Sequence, residues 1–76
     1  MQTALQRAAK PNFGRWLLQQ VKRDDDIGAL AKCAHRDPCF PVDGDVQAVS
    51  RRLNAIQADG EMHVALEEAE LDWACL

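Results

Sequence analysis

Between Phe13 and Pro41 the chain reads FGRWLLQQVKRDDDIGALAKCAHRDPCFP, two helical patterns hinged on three consecutive aspartates and closed by Phe-Pro. Few folds accommodate that series, because each half must hide one helical face and the joint is too short for another element. Phe13, Trp16, Leu17, Gln20 and Val21 recur at helical steps, which places them on the inward face of a first helix capped by Asn12. Arg15, Gln19 and Lys22 fall on the other side. Asp24, Asp25 and Asp26 interrupt the apolar pattern, and carboxylates there accept the free amides of a second helix and complement its dipole. That helix is expected from about Ile27 to Arg36, with Ile27, Leu30, Ala31 and Ala34 inward and with Gly28 and the alanines admitting a neighbouring helix closely. Asp37-Pro38 stops it, since proline disfavours a helical residue before it and donates no backbone bond. Phe40-Pro41 then makes a rigid return, with the phenyl ring plugged into the core.

The remainder repeats this grammar. Asp43-Gly44-Asp45 is a turn and a cap, after which Val46, Val49, Leu53 and Ile56 define the inward side of a third helix running to about Gln57. Asp59-Gly60 punctuates again, and a closing helix from about Glu61 carries Met62, Ala65, Leu66, Ala69, Trp73 and Leu76 on one stripe. Residues 1–12, MQTALQRAAKPN, read as a loose or short helical lead-in to a core over residues 13–76. No strand alternation or internal repeat is present, so the expected fold is one all-α domain of four or five packed helices.

Charge is divided along the chain. All nine Lys and Arg lie at or before Arg52 beside six acids, whereas residues 53–76 hold six acids and no Lys or Arg. The net charge of −3 thus separates into +3 and −6, a dipolar pattern that suits head-to-tail self-contact or a basic partner for the tail better than whole-molecule nucleic-acid binding. Cys33, Cys39 and Cys75 are odd in number, and no basic start with an apolar segment of signal-peptide length precedes them, so a reduced cytoplasm is the expected setting. No segment approaches the roughly 18 apolar residues that a membrane span needs.

The ordered series Trp16-Leu17 with Gln20, Arg23-Asp24-Asp25, Ile27-Gly28, Leu30-Ala31-Lys32, Ala34, Asp37 and Phe40-Pro41 resembles the bacterial YozE-like family, small proteins with a fold similar to the sterile alpha motif (SAM). The resemblance covers roughly Phe13 to Ile56, and the last helix matches in character through Trp73. Asp26 stands where the family often has a helix-starting proline, and Cys33 where an acid is common. The resemblance implies a compact SAM-like helical bundle; by analogy of fold, it implies a role in protein binding or self-association, more rarely RNA binding.

Chemistry is sparse. Cys33, His35 and Cys39, with His63 or Cys75 from the tail, are the right types for zinc, but Cys33 and His35 lie about 200° apart around a helix and point nearly oppositely. The three aspartates suit calcium or magnesium by type, yet consecutive side chains diverge and no glycine-spaced loop or distal glutamate completes a site, so capping explains them better. A cysteine nucleophile would need His35 or His63 beside it with an orienting acid, which nothing in the sequence arranges. Arg15, Lys22, Gln47, Arg51, Arg52 and Asn54 form the candidate nucleic-acid face, centred on the third helix, with the acidic tail opposing phosphate.

The last helix bears a second apolar line. With Met62 at 0°, Val64, Leu71 and Cys75 fall near 200°, 180° and 220°, flanked by Glu67 and Glu68. A helix apolar on two sides is sandwiched in its own domain or docked on another chain. The segment with Ala4, Leu5 and Ala8 is the competitor within the chain; otherwise the partner presents an apolar groove edged by Lys or Arg, a homodimer being the simplest case. The expectation is therefore a small cytoplasmic protein-interaction module without catalysis, cofactor, small-molecule ligand or membrane contact.

Overall fold

The structure, a computed structural model, describes residues 10–76. The described residues form an all-α bundle of four helices: α1 (Phe13–Leu18), α2 (Asp26–Arg36), α3 (Val46–Ala55) and α4 (Gly60–Ala74). Each helix is opened by an Asx side chain that accepts the amide three residues on: Asn12 from Arg15, Asp25 from Gly28, Asp45 from Ala48 and Asp59 from Met62. These bonds satisfy amides that have no partner within the helix. Of the three central aspartates, Asp25 is the cap, Asp26 lies in the first turn, and Asp24 stays in solvent.

The core unites Phe13, Trp16 and Leu17 of α1 with Ile27, Leu30 and Ala31 of α2, Val49 and Leu53 of α3, and Ala65, Leu66 and Ala69 of α4. α4 packs on α2, α3 and α1, and α1 packs on α2 and α3. The backbones of α2 and α3 stay apart, leaving a cleft between them lined by Leu30, Cys33, Phe40, Val49 and Ile56. Arg52 spans that cleft to Asp37 through two 2.7 Å bonds. The cleft holds only ≈ 20 Å³ of free space, about one water, so it is a seam and not a pocket.

Several expectations are revised. α1 stops at Leu18 because the Gln20 side chain takes the Trp16 carbonyl at 3.0 Å while the Gln20 amide turns to Leu17, so Gln20 and Val21 lie beyond the helix. α3 stops at Ala55, and Gln57 turns left-handed at φ 58°. The Ala58 amide then reaches the Leu53 carbonyl and the Gln57 amide that of Asn54, a Schellman closure that leaves Ile56 46% exposed and out of the core. Leu76, past the end of α4, is exposed as well, and Phe40 is half-buried against the core instead of plugged into it. Gly28 admits the backbone of Arg23 from the preceding loop, not a neighbouring helix. Gly14 admits the carbonyls of Pro41 and Val42, each 2.5 Å from where a Cβ would stand, and its amide donates to the Gly44 carbonyl at 3.0 Å.

Candidate functional site

α4 is held from three sides. Ala65, Leu66 and Ala69 are buried in the core. Trp73 meets Phe13 edge-on at 5.8 Å, donates its Nε1 hydrogen to the Pro11 carbonyl at 2.9 Å, and lies 4.1 Å beneath the Lys10 ammonium. Arg23 donates to Asp72 of α4 at 3.0 Å and to Asp25, the α2 cap, at 2.8 Å. The helix is therefore ordered to its last turn, and the two-sided apolar pattern belongs to a seated helix. This anchoring of Lys10 and Pro11 left no signal in the sequence, since it depends on where those two residues meet Trp73 of α4.

The opposite face of α4 is open. Val64 is 51% and Leu71 68% exposed, and Glu67, Glu68 and Cys75 are exposed beside them. No described element covers this stripe. Ala4, Leu5 and Ala8, the competitor within the chain, lie outside the described residues. Near the start of the helix, Val64 shares a shallow concavity with Glu61 and with Asp26 from the first turn of α2, which extends the acidic border. The sequence pointed to Val64 through its helical angle; Asp26 joins it only by tertiary placement.

The basic residues are dispersed. Gln47, Arg51 and Asn54 share the exposed side of α3, at steps of four and three. Arg52 turns the other way to Asp37, where the pair keeps only 28% and 12% side-chain exposure. Arg15 is bound to Asp43 at 2.7 Å, on a different helix, and Lys22 stands apart in the α1–α2 connection. Arg51 itself lines a groove with Glu67 and Glu70 of α4. The six candidate nucleic-acid residues are thus spread over α1, the α1–α2 connection and α3, and Arg51 shares its groove with two carboxylates.

Three aspartates are tuned by these contacts. The Arg52 guanidinium holds the Asp37 carboxyl below the usual carboxylate range, aided by the Cys39 amide. Arg23 and then the Gly28 amide do the same for Asp25, and Arg15 and then Asn12 for Asp43. All three stay ionised more readily than a free aspartate, as carboxylates in ion pairs and helix caps do.

The candidate metal and nucleophile residues are distributed over α2, the turn that follows it, and α4, which carries His63. Cys33 is half-buried in the α2–α3 seam, Cys39 is exposed in the following turn, Cys75 caps α4, and the His35 Nε2 sits 3.1 Å from the Leu18 carbonyl oxygen. Among the described residues no three His, Cys, Asp or Glu side chains converge on a point where a metal ion could be held. No helix of the described residues is long and apolar enough to cross a membrane. No family model matches the chain, and searches of curated proteins and of solved structures return no match.

Proposed function

We propose that this chain is a small non-catalytic protein-interaction module of SAM-like type, akin to the YozE-like proteins, that works in the cytoplasm without a cofactor. The observation that carries the reading is the open face of α4: Val64 and Leu71 project from a helix whose other side is fully seated in the core. Leaving two large aliphatic side chains in water costs roughly 25 cal/mol per Å² of apolar surface relative to burying it, so a complementary surface is favoured there. Glu67 and Glu68 border the apolar line and select a partner with Lys or Arg around its groove. The nucleic-acid reading loses support where Arg15 and Arg52 are already bound to Asp43 and Asp37 and Arg51 shares its groove with two glutamates.

The test is Leu71→Glu, which leaves the core untouched. The variant is expected to keep the helical circular dichroism and melting temperature of the parent while losing its self-association or its recovered partner. Unchanged sedimentation together with unchanged affinity recovery from the native cell would refute the docking role of α4.

A further inference from the structure

Resting on the docking role of α4, we propose that residues 1–9 of the same chain cover the end of its open face near Leu71 and Cys75, so that a partner must displace them to bind. The described chain begins beside this face. Lys10 lies over the Trp73 ring at 4.1 Å, and the Pro11 carbonyl accepts the Trp73 Nε1 hydrogen at 2.9 Å, which ties residue 10 to the last turn of α4.

Reach decides what the preceding residues can meet. Trp73 looks inward to Phe13, about 160° around the helix from Leu71. Passing around half of a helix about 10–12 Å across takes roughly 17 Å, which an extended chain covers in about five residues. Leu5 stands five residues before Lys10, so it arrives beside Leu71 and Cys75. Val64 lies a further seven residues, about 10 Å, along α4, and only residues 1–4 remain to approach it.

Chemistry matches the two sides. Residues 1–9 carry Met1 and Leu5 as large apolar side chains and Arg7 as their sole charged one. Exposed Leu71 and Cys75 are bordered by Glu67 and Glu68, and residues 53–76 contain no Lys or Arg to answer those carboxylates. Arg7 supplies the missing cation. Attachment at Trp73 presents the segment at an effective concentration of about millimolar, so a contact too weak to join separate molecules still forms within one. Few side chains meet, and the cover is partial. A stripe covered half of the time leaves half of the chains competent and weakens the apparent affinity of a partner about twofold.

Two readouts on the full chain test the cover without a partner, with circular dichroism as the folding control. With Cys33→Ser and Cys39→Ser, Cys75 is the sole thiol, and Leu5→Glu, which sets a carboxylate against Glu67 and Glu68, is expected to quicken its reaction with a maleimide about twofold. A nitroxide attached through Thr3→Cys, with all three native cysteines changed to Ser, is expected to broaden the amide signals of residues 68–75 more than that of Val64, equally at every protein concentration. Failure of either effect overturns the proposal. Broadening that fades on dilution comes from a second copy and overturns it as well. Both outcomes leave the docking role of α4 standing, because Leu71→Glu tests that role separately through sedimentation and partner recovery. A Leu5→Glu variant that unfolds, or loses as much stability as a core truncation, makes the segment a fixed part of the bundle and overturns both readings.

Discussion

α2 and α4 lie against each other in the bundle, yet they treat their apolar residues differently. In α2 the large apolar side chains, Ile27 and Leu30, are buried, and the outer side carries Lys32, His35 and Arg36. In α4 Ala65, Leu66 and Ala69 are buried and Met62 and Trp73 partly so, but Val64 and Leu71 stand in solvent between glutamates. The apolar content of α2 is spent on the fold, whereas α4 holds more than the described residues bury. In a chain of 76 residues, with little core to spare, that surplus on one face is the ground of the proposed intermolecular contact.

The sharpest way to break this contrast is to truncate one leucine on each side of it. Leu17 is fully buried among the residues that face α2 and α4, and Leu17→Ala is expected to cost about 2–5 kcal/mol, most of what a domain this small possesses. Leu71→Ala is expected to stay within about 0.5 kcal/mol of the parent. Chemical denaturation of both measures the difference; a Leu71→Ala loss approaching that of Leu17→Ala would mean that α4 is covered on both sides within its own chain.

Gly14→Ala probes the other end of the Phe13–Pro41 segment. A Cβ there meets two backbone carbonyls that cannot swing aside, and the expected loss is about 1–3 kcal/mol by thermal or urea unfolding. An unchanged midpoint would show that the Pro41-Val42 turn is looser than its packing implies. Gly14 also marks the limit of what could be read ahead of the structure. Caps such as Asn12 and Asp25, and inward residues such as Trp16 and Leu30, are encoded within one helical turn, so the helices and most of the core were legible. The open stripe of Val64 and Leu71 was legible for the same reason, being a matter of angle along one helix. The close approach at Gly14, the reach of Arg23 to Asp72 and the crossing of Lys10 over Trp73 join residues far apart in sequence, and local pattern carries no trace of them.

Acid should separate the two regions by a different route. Asp25, Asp37 and Asp43 titrate lower when folded than when unfolded, so the stability they add is complete above the ordinary aspartate range near about 3.9 and drains away as pH falls through the lower folded values. All three lie outside α4. The melting temperature is therefore expected to fall below about pH 4, and Asp37→Asn to make that fall shallower while lowering stability at neutral pH. A variant whose melting temperature follows the parent's pH profile without a gap would show that the Asp37–Arg52 pair contributes nothing across the seam.

A small gain, not a loss, is expected between the two regions, at the junction of α3 and α4. Gln57 closes α3 in the left-handed conformation that glycine adopts without steric cost and glutamine does not. The turn persists because the Ala58 amide reaches back to Leu53 and the Ala58 methyl packs on the core, fixing the direction in which α4 departs. Gln57→Gly removes the strain but gives the unfolded chain more freedom, so the net gain expected is no more than about 1 kcal/mol, read as a small rise in melting temperature. The same turn leaves Ile56 outside the core beside Cys33, and a relieved turn keeps that geometry. Stabilisation by Gln57→Gly with association unaltered would assign the junction to the fold alone; a loss of association would mean that the angle set at Gln57 also positions the open face of α4 for its partner.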